Sequence, residues 1–228
     1  LKQLAQERNL LIIEDNAQAI GAKASTSGLN GTFATGGLGH ASGISFYPTK
    51  NLGGLGDAGA VITNDEQLAK TVKALANYGS DRRYHNIYKG YNCRIDEMQA
   101  AMLRVKLSVL DNETERRNII AKTYNQHICN PLVTVPHIFP DMVQVWHQYV
   151  VRVEKRDQFR EYLADNGVQT DIHYATPPHL QPCYSELRDS KLPVTEKLAN
   201  EVVSLPIAHP ITVEDAVEIS KIINNFNA

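Results

Sequence analysis

A run of four aliphatic residues, Leu10 to Ile13, is followed directly by the acids Glu14 and Asp15. An unbroken apolar run of this length is typical of a strand that is buried on both faces of a parallel sheet. Parallel strands need crossover connections, which are usually helices, so this run predicts an α/β fold. Asp15 would lie at the carboxyl end of the strand, which is where open α/β sheets bind their ligands.

A second predicted strand, Gly43 to Tyr47, is followed by a proline, a lysine and a glycine-rich loop. Pro48 ends this strand because it has no N–H group to donate to a ladder. Lys50 therefore lies on a loop just beyond a strand end, where functional groups are commonly presented. The ordinary interpretation of such a lysine is a solvated surface charge. The alternative is a lysine whose amine forms a Schiff base with an aldehyde cofactor.

Asp15 and Lys50 together match what pyridoxal 5'-phosphate requires of a protein. This cofactor needs a lysine for its aldehyde and an acidic partner for its pyridine nitrogen, so that the ring can accept electrons. Ser45 is placed to donate a hydrogen bond to the phosphate. We therefore predict a pyridoxal phosphate site in which Lys50 is the catalytic residue and Asp15 and Ser45 bind the cofactor.

The chain resembles the DegT/StrS family of sugar aminotransferases in three motifs, which are E-D-N-A-Q-A-I-G-A, S-F-Y-P-T-K-N-L-G-G-L-G-D-A-G-A-V-I-T-N and N-C-R-I-D-E-M-Q-A-A. The resemblance runs from about Leu10 to the C-terminus. It implies a fold-type I pyridoxal phosphate enzyme that aminates nucleotide-linked keto-deoxysugars, usually with glutamate as the amino donor. Two features depart from the family pattern. The family's N-terminal part is absent from this sequence, and Cys93 stands where a small hydroxyl or aromatic residue is commoner.

The resemblance implies roles for two further cofactor-binding residues. Gln18 matches a residue that contacts the ring hydroxyl, although a surface polar residue is the simpler interpretation of this glutamine. Asn92 matches a residue that reaches the cofactor phosphate of the neighbouring subunit, so we expect a homodimer. Because a related group with histidine in place of Lys50 removes a hydroxyl instead, Lys50 favours amination.

Six residues are weaker candidates for contact with the substrate: Tyr84, His85, Arg94, His173, Tyr174 and His179. The first two lie in a polar, aromatic segment that is either a solvated loop or a segment that meets an anionic substrate or a second subunit. The last three resemble a family segment that approaches the active site. Their spacing matches no helical pair of metal ligands, so we predict no metal site.

Two domains are expected: residues 1–110 as the C-terminal part of the large, mainly parallel-sheet domain, and residues 111–228 as a small α+β domain. The first eight residues have helical spacing and run into the Leu10 strand, so we interpret them as the end of a crossover helix. A sheet that begins within a crossover indicates a fragment, or a chain that depends on a partner segment.

The other predicted elements are a loop or hairpin at 23–40, strands at 60–63, 146–153 and 168–173, a loop at 78–91, and helices at 66–77, 95–110, 112–128, 156–166, 193–203 and 213–226.

Composition excludes several classes of protein. The formal net charge is −2 over 228 residues, which gives no field for binding nucleic acid or a membrane surface. No apolar run is long enough to span a bilayer. The three cysteines are widely spaced and odd in number, which fits a reducing cytoplasm better than a disulfide framework. The G-x-G-x-x-G match at Gly54–Gly59 precedes a predicted strand and not a helix, which argues against a dinucleotide site.

The leading functional hypothesis is a cytoplasmic aminotransferase that transfers an amino group to a nucleotide-linked keto-deoxysugar. The alternative is an incomplete, non-catalytic chain that needs its N-terminal half in order to bind the cofactor. A third option, a lysine Schiff-base enzyme without the cofactor, would leave the position of Asp15 unexplained.

Overall fold

The computed structural model describes residues 1–25 and 32–227. These residues form two compact units, the first from Leu1–Glu115 with Phe139–His147, and the second from the remainder. The first unit contains α1 (Lys2–Glu7), β1 (Ile13–Asp15), β2 (Lys23–Ser25), β3 (Thr32–Ala34), β4 (Ala41–Ser45), β5 (Gly59–Thr63), α2 (Glu66–Ala76), β6 (Ser80–Arg82), β7 (His85–Asn86), α3 (Glu97–Leu107), the start of α4 (Leu110–His127) and β8 (Met142–Val143). The second contains β9 (Tyr149–Arg152), α5 (Arg156–Asp165), 3-10 turns at Pro178–Leu180 and Pro182–Leu187, α6 (Pro193–Glu201), β10 (Val202–Leu205) and α7 (Val213–Asn224).

The central sheet of the first unit has the strand order β1-β4-β5. β1 and β4 are parallel, with Asp15 opposite Gly43, and β5 is antiparallel to β4. The predicted parallel strand is therefore confirmed, but its predicted burial is wrong. Ile13 is 77% exposed and Leu11 is 79% exposed, because in the described residues β1 pairs only with β4.

A second sheet has the order β3-β2-β8, and its antiparallel pair β2–β3 agrees with the hairpin, one of the two alternatives predicted for residues 23–40. The residues 26–31 of that prediction lie outside the described residues. Strand β8 pairs antiparallel with β2, with Lys23 opposite Val143, so residues 139–147 belong to the first unit. The structure thus differs from the single boundary expected after residue 110, since the first unit continues to Glu115 and takes up a later segment of the chain.

The predicted loop at 78–91 contains a short antiparallel hairpin, in which β6 pairs with β7. At the turn of this hairpin, Tyr84 takes the left-handed backbone conformation, with φ of 62°. The sequence did not indicate a hairpin here, because the turn consists of polar and aromatic residues and has no glycine at this position. The helix predicted over 66–77 is α2, and the Asp65 carboxylate caps it by accepting hydrogen bonds from the N–H groups of Gln67 and Leu68.

The core of the second unit lies between the β9–β10 sheet and helices α4, α5 and α7. Its fully buried side chains include Tyr124, Tyr149, Phe159, Val203 and Ile223. Both tyrosine hydroxyls are satisfied, with Tyr124 donating to the carbonyl of Pro206 and Tyr149 to Asn125. Burial raises the pKa of both phenols well above their usual range.

One prediction for the second unit is wrong, because the segment 168–173 forms no strand and only a single bridge joins Asp171 to Ser204. The predicted helix that begins near Pro193 is confirmed and ends at Glu201, but the chain continues directly as β10, which was not predicted. Two consecutive valines begin this strand, and β-branched residues favour an extended backbone. None of the helices in the described residues has the length and apolar character needed to cross a membrane.

Candidate active site

Lys50 lies on a tight loop that follows β4. Its N–H group donates to the carbonyl of Tyr47 at 2.8 Å, and the N–H group of Gly54 donates to the carbonyl of Phe46 at 2.8 Å, which closes the loop. The Lys50 side chain is partly exposed. Its ammonium group makes no hydrogen bond or ion pair with any residue in the described part of the chain. The backbone of Lys50 is therefore held by its loop, while its side chain has no polar partner in the described part of the chain.

Neighbouring side chains hold this loop, which we call the Lys50 loop (residues 46–56). Leu52 is 3% exposed and packs in a cluster of buried leucines of the first unit. The Asn51 amide donates to the carbonyl of Val145 at 2.7 Å, and the Gln99 side chain accepts from the N–H group of Leu55 at 2.7 Å. These contacts fix the backbone on either side of Lys50.

Gly53 allows the Lys50 loop to fold back on itself. A Cβ atom at this position would collide with the carbonyl group of Pro48. The Lys106 ammonium also donates to the Gly53 carbonyl oxygen. The glycine at position 53 is thus required by the close approach of two backbone segments.

Asp15 and Ser45 lie on the same face of two neighbouring strands. Asp15 is opposite Gly43 in the parallel ladder, and Ser45 follows Gly43 by two residues, so the two side chains point to the same side of the sheet. The Asp15 carboxylate accepts a hydrogen bond from the N–H group of Ala17 at 3.0 Å. The Ser45 hydroxyl accepts from the N–H group of Tyr47 at 3.3 Å, which leaves its hydrogen available to a ligand.

Glu14, which the sequence did not identify, supports the opposite face of the same strand end. Its carboxylate accepts three backbone hydrogen bonds, from Gly36 at 2.8 Å and from Leu38 and Gly39 at 2.6 Å each. Burial raises the pKa of Glu14, but these three N–H groups lower it by more, so the net pKa lies below its usual range. The donors come from more than 20 residues downstream, and only the pairing of β1 with β4 brings them to Glu14.

The remaining cofactor candidates of the first unit differ in their surroundings. Gln18 is exposed in the turn after β1. Asn92 is also exposed, and a backbone bridge joins it to Asn77 at the end of α2. Asn92 and Arg94 line a cavity of about 1470 Å³ between β5, α2 and the start of α3. Neither Lys50 nor Asp15 lines this cavity, so the structure gives two separate groups of candidate residues within the first unit.

The β6–β7 hairpin presents Tyr84 and His85 to solvent. Tyr84 is 87% exposed, and the guanidinium group of Arg83 lies 4.8 Å from its ring centroid. His85 Nδ1 lies 2.6 Å from the Asp81 carboxylate. This hydrogen bond is the main reason that the pKa of Asp81 lies below its usual range. The two side chains are thus paired with neighbours on the hairpin.

The three candidates of the second unit are held by contacts within that unit. His173 Nδ1 lies 2.8 Å from the Ser204 hydroxyl, while Tyr174 is exposed. His179 is only 4% exposed, and its Nε2 atom lies 3.2 Å from the Glu196 carboxylate. A hydrogen bond from the Leu192 N–H group and the contact with His179 lower the pKa of Glu196. Among the described residues, no group of three potential metal ligands comes together.

Comparison with solved structures defines the class of protein to which this fold belongs. A DegT DnrJ EryC1 StrS aminotransferase from Brucella abortus superposes with a TM-score of 0.88 at 36% identity, over 97% of this chain and 58% of that protein. Streptomyces venezuelae DesV, solved in complex with a ketimine intermediate, gives a TM-score of 0.88 at 38% identity, over 98% of this chain and 59% of that protein. The fold is therefore that of the aminotransferases, and the predicted fold-type I class is confirmed.

The sequence places the chain more narrowly. Residues 1–224 match the DegT/DnrJ/EryC1/StrS aminotransferase family, and the chain belongs to this family. It is 47% identical over 223 residues to a dTDP-3-amino-3,6-dideoxy-alpha-D-galactopyranose transaminase of Aneurinibacillus thermoaerophilus, covering 98% of this chain and 60% of the relative. It is 42% identical over 210 residues to a dTDP-3-amino-3,4,6-trideoxy-alpha-D-glucose transaminase of Streptomyces venezuelae, covering 91% of this chain and 54% of the relative. The chain thus spans little more than half the length of these relatives.

Proposed function

We propose that the protein is a pyridoxal phosphate-dependent aminotransferase that transfers an amino group to a nucleotide-linked keto-deoxysugar. The observation that carries this proposal is the common location of three groups. Asp15 and Ser45 share one face at the ends of two neighbouring parallel strands, and Lys50 follows the second strand on a closed loop. An acid, a hydroxyl and an amine at one sheet edge fit the donor set that this cofactor requires.

Each of these residues has a defined task at a particular atom of the cofactor. The Asp15 carboxylate would hold a proton on the pyridine nitrogen, and the Ser45 hydroxyl would donate to the phosphate. When bound, the cofactor supplies an aldehyde for the attachment of amines and a ring that accepts electrons. The Lys50 amine would hold the cofactor and then, once released, move a proton between substrate and cofactor carbons.

Two further residues complete the proposed cofactor site. Gln18 would contact the ring hydroxyl, and its exposed position just after β1 leaves it accessible. Asn92 would reach the phosphate bound by the neighbouring subunit of a homodimer, and it too is exposed. We assign glutamate as the amino donor on the family resemblance alone.

The nature of the acceptor follows from the relatives. Both curated relatives described above are named as transaminases of dTDP-linked deoxyaminosugars. A third, 37% identical over 212 residues, is a UDP-2-acetamido-2-deoxy-3-oxo-D-glucuronate aminotransferase of Pseudomonas aeruginosa. A nucleotide-linked sugar is common to these names, and the third name specifies a 3-oxo sugar, so we assign a nucleotide-linked keto-sugar as the acceptor of this protein. The three cysteines are free, which agrees with a cytoplasmic location.

The experiment that tests the proposal is cofactor attachment followed by reduction. The purified protein is mixed with pyridoxal phosphate, treated with borohydride and digested, and the peptides are analysed by mass spectrometry. We expect the reduced cofactor on the peptide that contains Lys50, with the label lost in Lys50→Ala and retained in Lys73→Ala, a matched variant of an exposed lysine on α2. A label that persists in Lys50→Ala, or that is distributed over surface lysines, would refute the proposal.

A further inference from the structure

The C-terminal end of α2 is closed by a later segment of the chain, residues 91–94. The last carbonyl groups of a helix have no partner within the helix and need other donors. Here the Tyr91 N–H group donates to the carbonyl of Leu75 at 2.7 Å, and the Cys93 N–H group donates to that of Ala76 at 2.9 Å. The 91–94 segment therefore acts as a backbone cap for this helix.

Arg94 adds a side-chain contact to the same cap. Its Nη1 atom donates to Asn77 Oδ1 at 2.7 Å, and its guanidinium carbon lies 5.0 Å from the centroid of the Tyr78 ring. Asn77 is the residue that ends α2, so the positive charge is also well placed against the negative end of the helix dipole. The guanidinium group is thus engaged by two neighbours of its own chain.

The residues that Arg94 contacts have an unusual backbone. Tyr78 has φ of 58° and Gly79 has φ of 77°. A left-handed conformation is costly for an aromatic residue, and it persists only where the surroundings enforce it. A Cβ atom at Gly79 would collide with the carbonyl of Tyr88, so the turn also requires a glycine. The stacking of Arg94 on Tyr78 helps to hold this turn.

Asn92 lies between the anchored residues. Its backbone forms an antiparallel bridge with Asn77, and the residues on either side of it, Tyr91 and Cys93, donate to the carbonyl groups of α2. The side chain of Asn92 is exposed. The direction of the Asn92 side chain therefore depends on the attachment of the 91–94 segment to the end of α2.

We infer that Arg94 is a positioning residue that fixes Asn92, through Asn77 and Tyr78, and that it does not itself bind the substrate. This inference rests on the proposed role of Asn92 as a ligand of the cofactor phosphate. It replaces the expectation that Arg94 contacts the substrate. The physical reason is that Nη1 of the guanidinium group is hydrogen-bonded to Asn77 and that the group lies over the Tyr78 ring, both within the first unit.

The test compares Arg94→Gln, Asn77→Ala, the double variant and Asn92→Ala by titration of the purified protein with pyridoxal phosphate, followed by absorbance. Loss of a charge-assisted hydrogen bond and a cation–π contact predicts a roughly tenfold weaker affinity in Arg94→Gln. Asn77→Ala removes only the hydrogen bond and should weaken binding by less, and the double variant should be little worse than Arg94→Gln, because the Asn77–Arg94 hydrogen bond is already lost in that variant. Arg104→Gln, an exposed arginine on α3, is the matched control.

Amide hydrogen exchange provides a second measurement that does not depend on activity. We expect faster exchange at the amides of Tyr91 and Cys93 in Arg94→Gln, and parental exchange in Arg104→Gln. If Asn92→Ala weakens cofactor binding but Arg94→Gln does not, the positioning role is refuted. Additive effects of Asn77→Ala and Arg94→Gln would refute it equally. If Asn92→Ala leaves the affinity unchanged, the proposed role of Asn92 is wrong, and exchange alone decides whether Arg94 fixes the segment.

Discussion

Replacement of Glu14 by glutamine tests how the carboxyl end of β1 is held. The carboxylate accepts hydrogen bonds from Leu38 and Gly39 through one oxygen and from Gly36 through the other. A glutamine side chain of the same shape has one oxygen, which can retain two of these bonds. Its NH₂ group would then face the remaining N–H group, so that two donors meet.

The expected cost follows from this count. A hydrogen bond to a charged group contributes about 1.5–3 kcal/mol, and a donor left unpaired in a partly buried place costs a similar amount. The two retained bonds also lose their ionic character. We therefore expect Glu14→Gln to lower the free energy of unfolding by about 3 kcal/mol at neutral pH, which is a large change for a single substitution.

The change of the unfolding free energy with pH shows whether the charge of Glu14 stabilises the folded protein. Because the pKa of Glu14 in the folded protein lies below its value of 4.5 in an unfolded chain, the carboxylate contributes stability above the unfolded pKa. This contribution is lost as the pH falls through the folded pKa. The difference in unfolding free energy between the parent protein and Glu14→Gln should therefore be largest at neutral pH and should shrink in acid.

Urea unfolding, followed by circular dichroism over a series of pH values, measures both quantities. Glu115→Gln, which removes an exposed carboxylate from α4, serves as the control and should stay within about 0.5 kcal/mol of the parent. The reasoning fails if Glu14→Gln is as stable as this control. It also fails if the deficit of Glu14→Gln is the same in acid as at neutral pH, since the charge of Glu14 would then have no part in the effect.

Two further substitutions test the packing of the Lys50 loop and the cap of α7. Leu52→Ala removes a side chain that is 3% exposed, so it should lower the unfolding free energy by about 2–5 kcal/mol and weaken cofactor binding. The control is Leu55→Ala in the same loop, which should have neither effect because Leu55 is 75% exposed. Equal effects of the two substitutions would contradict the assigned packing. Thr212→Ala removes the hydroxyl that accepts from the Asp215 N–H group and donates to the Asp215 carboxylate, and it should cost about 1 kcal/mol in urea unfolding. A cost no greater than that of Thr134→Ala, an exposed threonine, would show that this hydroxyl contributes nothing to the cap.

Local signals in the sequence predicted the elements that local interactions determine. The helices predicted over 66–77 and 213–226 begin directly after Asp65 and Thr212, two residue types that favour the N-cap and that cap α2 and α7 here. Pro48 marked the end of the strand before Lys50, and the acids after Ile13 marked the strand end that holds Asp15. Each of these features depends on residues within a few positions of one another, so periodicity and turn chemistry were sufficient to find it.

Features that depend on distant residues could not be predicted in this way. The role of Glu14 requires three N–H groups that lie 22 to 25 residues further along the chain. The return of residues 139–147 to the first unit depends on the pairing of β8 with β2, across more than a hundred residues. The expected burial of the Leu10–Ile13 run was wrong for a related reason, since apolar composition indicates what a strand can bury but does not supply the elements that cover it.

The same distinction separates Lys50 from Arg94. In sequence both are cations within motifs of the family, and sequence alone does not show which of them is already bound to its own chain. In the structure Arg94 already binds its own chain, whereas the Lys50 ammonium has no partner within the described residues. The position of Lys50 is therefore set by the backbone of its loop, and the side chains of Leu52, Asn51 and Gln99 hold that backbone in place. Because the Lys50 side chain has no ion pair within the described residues, no carboxylate of this part of the chain has to be displaced before a ligand can reach it.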